Sequence, residues 1–198
     1  MSRWALIPIK GFDRGKSRLS EVLAPHERAQ LARDLFEHVV HVLRASPAID
    51  EIAVVSDSVD AREHAGRLGI VALSDADGSQ GLSDVVDGAL QDLERRGATS
   101  VMICMGDLPN LTVQDIASVA RQLAESDVVL VPDLSQQGTN VIALKRATSL
   151  PSCLGHEDSL DRHHARARKL GLTVSVQLSS GMAFDVDHPR DLKRLRRR

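Results

Sequence analysis

The 198-residue chain is 42% hydrophobic and 26% charged with 13 Gly and 7 Pro, a balance that supports a packed core and excludes disordered, collagen-like and membrane-spanning classes. Lys and Arg number 25 against 27 Asp and Glu, a formal charge of -2, and aromatic residues make up 2%, so a base-stacking platform for nucleic acid is not expected. The two cysteines, Cys104 and Cys153, stand too far apart for a zinc knuckle or a disulfide framework, which fits a reducing cytoplasm.

Trp4 to Ile9 reads as a buried strand, followed by a polar, glycine-bearing loop from Lys10 to Ser17. The apolar stretch before Lys10 is too short for a signal peptide and lacks a small-residue cleavage site. From His26 to Arg44 the residues Leu31, Leu35, Val39, Val42 and Leu43 recur every three or four positions, the period of an amphipathic helix. Ile52 to Val55 is a continuous apolar run suited to a parallel sheet, ending in Ser56-Asp57-Ser58 as the cap of a second helix.

The same reading places a strand near Ile70 to Leu73, a helix from Leu82 to Arg95, a strand at Val101 to Met105 and a helix from Thr112 to Glu125. Strands at Val128 to Pro132 and Val141 to Leu144 follow, then a helix from Ser159 to Leu170, a strand at Val174 to Val176 and a final helix from Pro189 to Arg197. The basic run Lys193 to Arg198 reads as a solvated helix end, favourable to the helix dipole, with an anionic partner as the alternative. Strand and helix alternate throughout, so the expected fold is α/β, a doubly wound and mostly parallel sheet in one domain over 1–198. Ligands then belong beyond the carboxyl ends of the strands.

The first of those loops ends in Gly15-Lys16-Ser17 and invites comparison with a P-loop. A P-loop has glycine where this chain has Lys10, and its long helix is interrupted here by Pro25. What remains is four cations in nine residues, Lys10, Arg14, Lys16 and Arg18, with Gly11 and Gly15 admitting close backbone approach to an anion. Triphosphate is the expected guest, and a solvated basic loop is the bland alternative.

Asp107 follows the central apolar strand in Met105-Gly106-Asp107-Leu108-Pro109. Asp185 and Asp187 stand two apart, which puts both carboxylates on one side of an extended segment. Hard oxygen ligands of this kind suit Mg²⁺ shared with substrate phosphates, which joins Asp107, Asp185 and Asp187 to the basic loop. The competing reading makes Asp107 a turn former, Asp187 a helix cap and Asp185 exposed. His38 and His41 at helical spacing, and the adjacent His163 and His164, form no ligand motif and read as surface or core residues. No serine elbow, dinucleotide fingerprint or cysteine-histidine signature nominates a covalent nucleophile.

The segments Ile7-Pro8-Ile9-Lys10 through Lys16-Ser17-Arg18-Leu19, Gly106-Asp107-Leu108-Pro109, Gly138-Thr139-Asn140 and Phe184-Asp185-Val186-Asp187-His188-Pro189-Arg190-Asp191-Leu192 together resemble the 2-phospho-L-lactate guanylyltransferases. Members make the guanylylated three-carbon acid used in building the deazaflavin redox coenzyme, from 2-phospholactate, phosphoenolpyruvate or 3-phosphoglycerate. The resemblance implies a three-layer α/β/α fold like that of nucleotide-diphospho-sugar transferases and molybdopterin guanylyltransferases. It puts the first loop on GTP through Lys10, Gly15, Lys16 and Arg18, with Gly81 and Ser83 also at the nucleotide, and the aspartates on Mg²⁺. It further implies that Thr139, Gly155 and Ser159 hold the phosphate and carboxylate of the acceptor. Ser83 stands where the family usually has Asn, Gln136-Gln137-Gly138-Thr139 replaces a doubled Gly-Thr, and one extra residue separates Gly155 from Ser159. The first bears on how the base is read, and the other two alter the acceptor pocket, so a phosphonate of similar size joins the expected acceptors.

On this reading Lys16, Arg18 and Asp107 carry catalysis, a nucleoside triphosphate and a small phospho- or phosphono-acid are the partners, and neither nucleic acid nor membrane is engaged. The rivals are a nucleotidyltransferase for molybdopterin or a sugar phosphate, and a catalytically silent nucleotide-binding regulator. A homodimer is the assembly expected, two-fold symmetry being the commonest among soluble oligomers.

Overall fold

A computed structural model describes residues 2–75 and 79–195, within which the alternating pattern becomes one seven-stranded sheet. The strands are β1 (Ser2–Pro8), β2 (Glu51–Ser56), β3 (Val71–Ser74), β4 (Ala98–Cys104), β5 (Val128–Pro132), β6 (Thr139–Leu144) and β7 (Val174–Val176). Their spatial order is β3-β2-β1-β4-β6-β5-β7. Every pairing is parallel except those of β6, which runs antiparallel to both β4 and β5.

The period-two alternation of side chains assigns the two faces. Ala5 and Ile7 of β1 point into one core with α1 (Pro25–Ala45), α2 (Val59–Arg67) and α4 (Val113–Glu125). Trp4 and Leu6 point into the other, with α3 (Leu82–Arg95) and α5 (Ser159–Lys169). The result is the expected mostly parallel three-layer arrangement. None of the described helices is long and apolar enough to cross a membrane.

Several boundaries shift for reasons that hydrophobic pattern does not carry. β1 starts at Ser2 and β4 at Ala98 because Ser2 and Arg3 pair with Ala98 and Ser100, extending the ladder through polar residues. Thr112 is the cap of α4 and not its first residue: its hydroxyl accepts from the Asp115 amide, while the Asp115 carboxylate accepts from the Thr112 amide. Ser58 caps α2 in the same manner, accepting from the Ala61 amide. Thr139 and Asn140 belong to β6, with Thr139 opposite Pro132. The last helix, α6, is Pro189–Leu195 within the described residues.

The sheet order reverses at β1. The chain proceeds from β1 outward through β2 and β3, then returns to place β4 on the other side of β1. The carboxyl ends of β1 and β4 therefore open a crevice between diverging connections, the usual ligand position of such sheets. Because β6 is antiparallel, its amino end, Thr139 and Asn140, lies at this same edge.

A third, smaller core holds the C-terminal segment there. Leu19, in a short 3-10 turn at Ser17–Leu19, packs with Leu35 of α1, Phe184, Val186 and Leu192 of α6. The Arg194 guanidinium lies 5.1 Å from the centre of the Phe184 ring. Phe184 is 2% exposed, and Phe184→Ala is expected to lower unfolding free energy by roughly 3 kcal/mol, read from urea denaturation. A loss below about 1 kcal/mol would mean that this core does not hold the segment.

Candidate active site

The first loop is built around Gly11, whose carbonyl accepts from the amides of Arg14 and Gly15 at 3.0 and 3.1 Å. Those two amides are thereby engaged within the loop itself. Lys16 then adopts a left-handed backbone, φ 56° and ψ 34°, which costs a non-glycine residue about 1 kcal/mol. This turn sends the Lys16 side chain inward. Its ammonium donates to Asp107 Oδ2 at 2.5 Å and to Asp187 Oδ1 at 3.2 Å, and Arg18 donates to the other Asp187 oxygen at 3.1 Å.

Asp107 reaches this position through two neighbours. A Cβ on Gly106 would lie 3.0 and 3.2 Å from the Ile9 and Ile7 Cγ2 atoms, so a residue without one lets the end of β4 lie against the end of β1. Leu108 and Leu111 are buried in the first core and pin the following turn. Asp185 and Asp187 arrive from the far end of the chain, with Phe184 and Val186 buried in the small core and the carboxylates facing the opposite way. Asn140 completes the brace: its carbonyl accepts from the Met105 amide, and its side-chain amide donates to the Met182 and Ala183 carbonyls. One buried residue, through its backbone carbonyl and its side chain, thus ties the end of the strand that leads to Asp107 to the segment that carries Asp185.

Asp107, Asp185 and Asp187 each present an oxygen within 4.8 Å of the others. Burial, followed by the Asp107 and Asp187 charges, pushes the Asp185 carboxyl up to about 6. Burial would lower the Lys16 ammonium, but the Asp107 and Asp187 carboxylates outweigh it and hold it above its ordinary value. Even with Lys16 and Arg18 present, the three acids leave one negative charge in excess. Asp107 Oδ1 is buried and has no hydrogen-bond partner. An orphaned carboxylate oxygen beside two further carboxylates fits a hard divalent cation such as Mg²⁺.

Two clefts meet at this cluster. The first, of about 190 Å³, is lined by Lys10, Gly15, Lys16, Gly106 and Asp107. The second, of about 590 Å³, is lined by Arg18, Thr139, Gly155, Ser159 and Asp185. Met105 and Asp187 line both. Most of the residues singled out in the sequence therefore converge, with Gly81 at the head of α3. Ser83 stands apart: its hydroxyl donates to the Leu154 carbonyl at 2.8 Å, and it lines a different cavity between α3 and α5. Arg14 turns away to Asp57, so among the described residues Lys10 alone of the four loop cations has no ion-pair partner. The alternative in which Asp187 caps the last helix does not occur, since Asp191 accepts from the Asp187 and His188 amides.

Sequence reading gave no role to His156, His188 and Arg190, which line the larger cleft, or to Asn140 as a brace. Their only signal is proximity to Gly155 and Asp187, too weak to separate them from solvated neighbours. His163 is fully buried, and burial pushes its imidazole down to about 4. Cys104 is also fully buried, which raises its thiol and removes it as a nucleophile.

The guanylyl transferase family described as CofC-like matches residues 3–196. A phosphoenolpyruvate guanylyltransferase of Sphaerobacter thermophilus is 35% identical over 195 residues, covering 98% of this chain and 93% of the relative. A 2-phospho-L-lactate guanylyltransferase of Methanothermobacter thermautotrophicus is 30% identical over 192 residues, covering 97% and 83%. Among solved structures, a nucleotidyl transferase from Methanothermobacter thermautotrophicus superposes with a TM-score of 0.70 at 17% identity, covering 99% of this chain and 96% of the other. A Desulfovibrio desulfuricans protein provisionally named a nucleotide-diphospho-sugar transferase reaches 0.82 at 19% identity, covering 98% and 87%. These two structures establish the shared fold.

The depressed His163 value makes a stability prediction. The unfolded imidazole binds a proton below about pH 6.5 and the folded one only near 4, so its contribution is present above 6.5 and is lost as pH falls between those values. Asp185, raised to about 6, acts in the opposite direction over part of the window. The His163 part is therefore read as a difference. The stability deficit of His163→Phe relative to wild type should shrink by about 2 kcal/mol from pH 7 to pH 5 in denaturant titrations. A deficit independent of pH would show that the histidine is not held neutral.

Proposed function

The chain belongs to the CofC-like guanylyl transferase family and is a nucleotidyltransferase, and from that membership we propose that it transfers GMP from GTP to the phosphate of a small three-carbon acid, with Mg²⁺ required. Phosphoenolpyruvate, 2-phospho-L-lactate and 3-phosphoglycerate are the acceptors proposed. The observation that carries the reading is the meeting of two clefts at one acidic cluster. The smaller cleft, with Lys10 and Lys16, takes the triphosphate, and the larger takes the acceptor.

A phosphate monoester has a second pKa of about 6 and is largely ionised near neutrality, so no strong general base is needed. An acceptor phosphate oxygen forms the new bond to the α-phosphorus. The α–β bridging bond breaks in line with it, and pyrophosphate leaves with the electron pair. The obstacle is bringing two anions together. Lys16 and Arg18 stand at the junction and offset developing charge, while the Thr139 and Ser159 hydroxyls and the Gly155 backbone suit acceptor oxyanions. Asp107, Asp185 and Asp187 would hold Mg²⁺, which supplies Lewis-acid neutralisation of phosphate charge. The two free, buried thiols support placing this reaction in the reducing cytoplasm.

The test is purified protein with each of four nucleoside triphosphates, Mg²⁺ and a panel of three-carbon phospho- and phosphono-acids, following pyrophosphate and the mixed-anhydride product. GTP with at least one acceptor should give turnover that chelation abolishes. Asp107→Asn, close in shape to the native side chain, should lower the rate by about 100-fold or more with the circular dichroism spectrum retained. A near-normal rate in that variant would remove Asp107 from the reaction.

A further inference from the structure

One imidazole joins the three residues assigned above to the acceptor. His163 lies one helical turn after Ser159 on α5 and is fully buried. Its Nε2 lies 2.8 Å from the Cys153 amide nitrogen. A backbone N–H can only donate, so Nε2 must present its lone pair, and the ring proton of the neutral imidazole is on Nδ1. Nδ1 lies 3.2 Å from Thr139 Oγ1, which can accept from it but cannot donate to it, and the Ser159 carbonyl is a second acceptor for the same proton. Ser159 Oγ lies 3.2 Å from that same Thr139 oxygen.

The proton count has one outcome. The Thr139 and Ser159 hydroxyls carry two protons between them and use one in their mutual hydrogen bond, whichever way it runs. The imidazole cannot take the second, because its facing nitrogen is already a donor. That proton is left for the larger cleft, which both hydroxyl residues line. At its other nitrogen, His163 holds the Cys153 amide in the strap that leads through Leu154 to Gly155. The strap is fixed further by Ser83 on the Leu154 carbonyl and by the Ser152 hydroxyl accepting from the Leu154 amide.

We propose that His163 is a positioning residue of the acceptor site: by donating from Nδ1 to Thr139, it commits the Thr139–Ser159 hydroxyl pair to donate to an oxyanion of the acceptor. This rests on the functional reading above and adds to it a selectivity. The pair offers one hydroxyl proton at that position, which favours phosphate or carboxylate oxygen.

Two amide replacements separate positioning from simple core support. The Asn side-chain nitrogen can stand where Nδ1 stands and donate to Thr139, giving up the Cys153 contact. The Gln side-chain oxygen can stand where Nε2 stands and accept from Cys153, giving up the Thr139 contact. Steady-state kinetics with GTP, Mg²⁺ and phosphoenolpyruvate should show the acceptor KM raised about tenfold or more in His163→Gln and within about threefold of wild type in His163→Asn. The KM for GTP should stay unchanged in both. Thr139→Val should reproduce the His163→Gln defect, and the double variant should show no further loss. With an active wild type, an unchanged acceptor KM in His163→Gln overturns the role of His163 alone. Equal rises in both KM values that track melting temperature do the same. A wild type inert toward phosphoenolpyruvate, 2-phospho-L-lactate and 3-phosphoglycerate overturns the functional reading and the acceptor role of this hydroxyl pair with it.

Discussion

Three carboxylates held within 4.8 Å of one another repel, and every other feature of the site either tolerates that repulsion or offsets it. At an effective dielectric of about 20, each like-charged pair at this spacing costs about 3 kcal/mol. Lys16 and Arg18 relieve part of this, while burial and, after it, the remaining repulsion from Asp107 and Asp187 raise the Asp185 carboxyl. A site with residual negative charge and an orphaned oxygen on Asp107 is arranged for a further cation. On the proposed function the same cation would also shield the phosphates of both substrates.

Packing holds the like charges in place. Phe184 and Val186 are buried in the small core beside Leu19 and Leu35, and the alternation of an extended segment then leaves Asp185 and Asp187 facing the crevice. Asn140 links that segment to the end of β4. Lys16 adopts an unfavourable backbone conformation at the same place, and from that turn its ammonium reaches both Asp107 and Asp187.

Sheet topology sets the two clefts that meet at the cluster. The parallel strands β1 and β4 bring the basic loop and Asp107 to one edge of the sheet. The antiparallel β6 contributes its first residues there, so Thr139 joins from a strand running the other way. A strictly parallel sheet would carry the start of that strand to the far side. The reversal therefore supplies part of the wall of the larger cleft, which the proposed function gives to the acceptor, and α5, carrying Ser159 and His163, packs beside it.

By itself, the sequence determined the alternation of strand and helix, the two apolar faces of each central strand and the candidate acids, because periodicity and residue chemistry are local properties. Val128 to Pro132, Leu82 to Arg95 and Val174 to Val176 carry that signal so clearly that their bounds need no structure to find. The polar starts of β1, β4 and β6 were not legible, since a ladder hydrogen bond leaves no mark on hydropathy. Only the tertiary structure decided that Lys16 faces carboxylates, that Arg14 turns to Asp57, that Ser83 braces Leu154 and that a buried histidine orients Thr139. Each of these is a contact between residues at least 24 positions apart in the chain, fixed by strand order and helix packing, and no local pattern encodes such a distance.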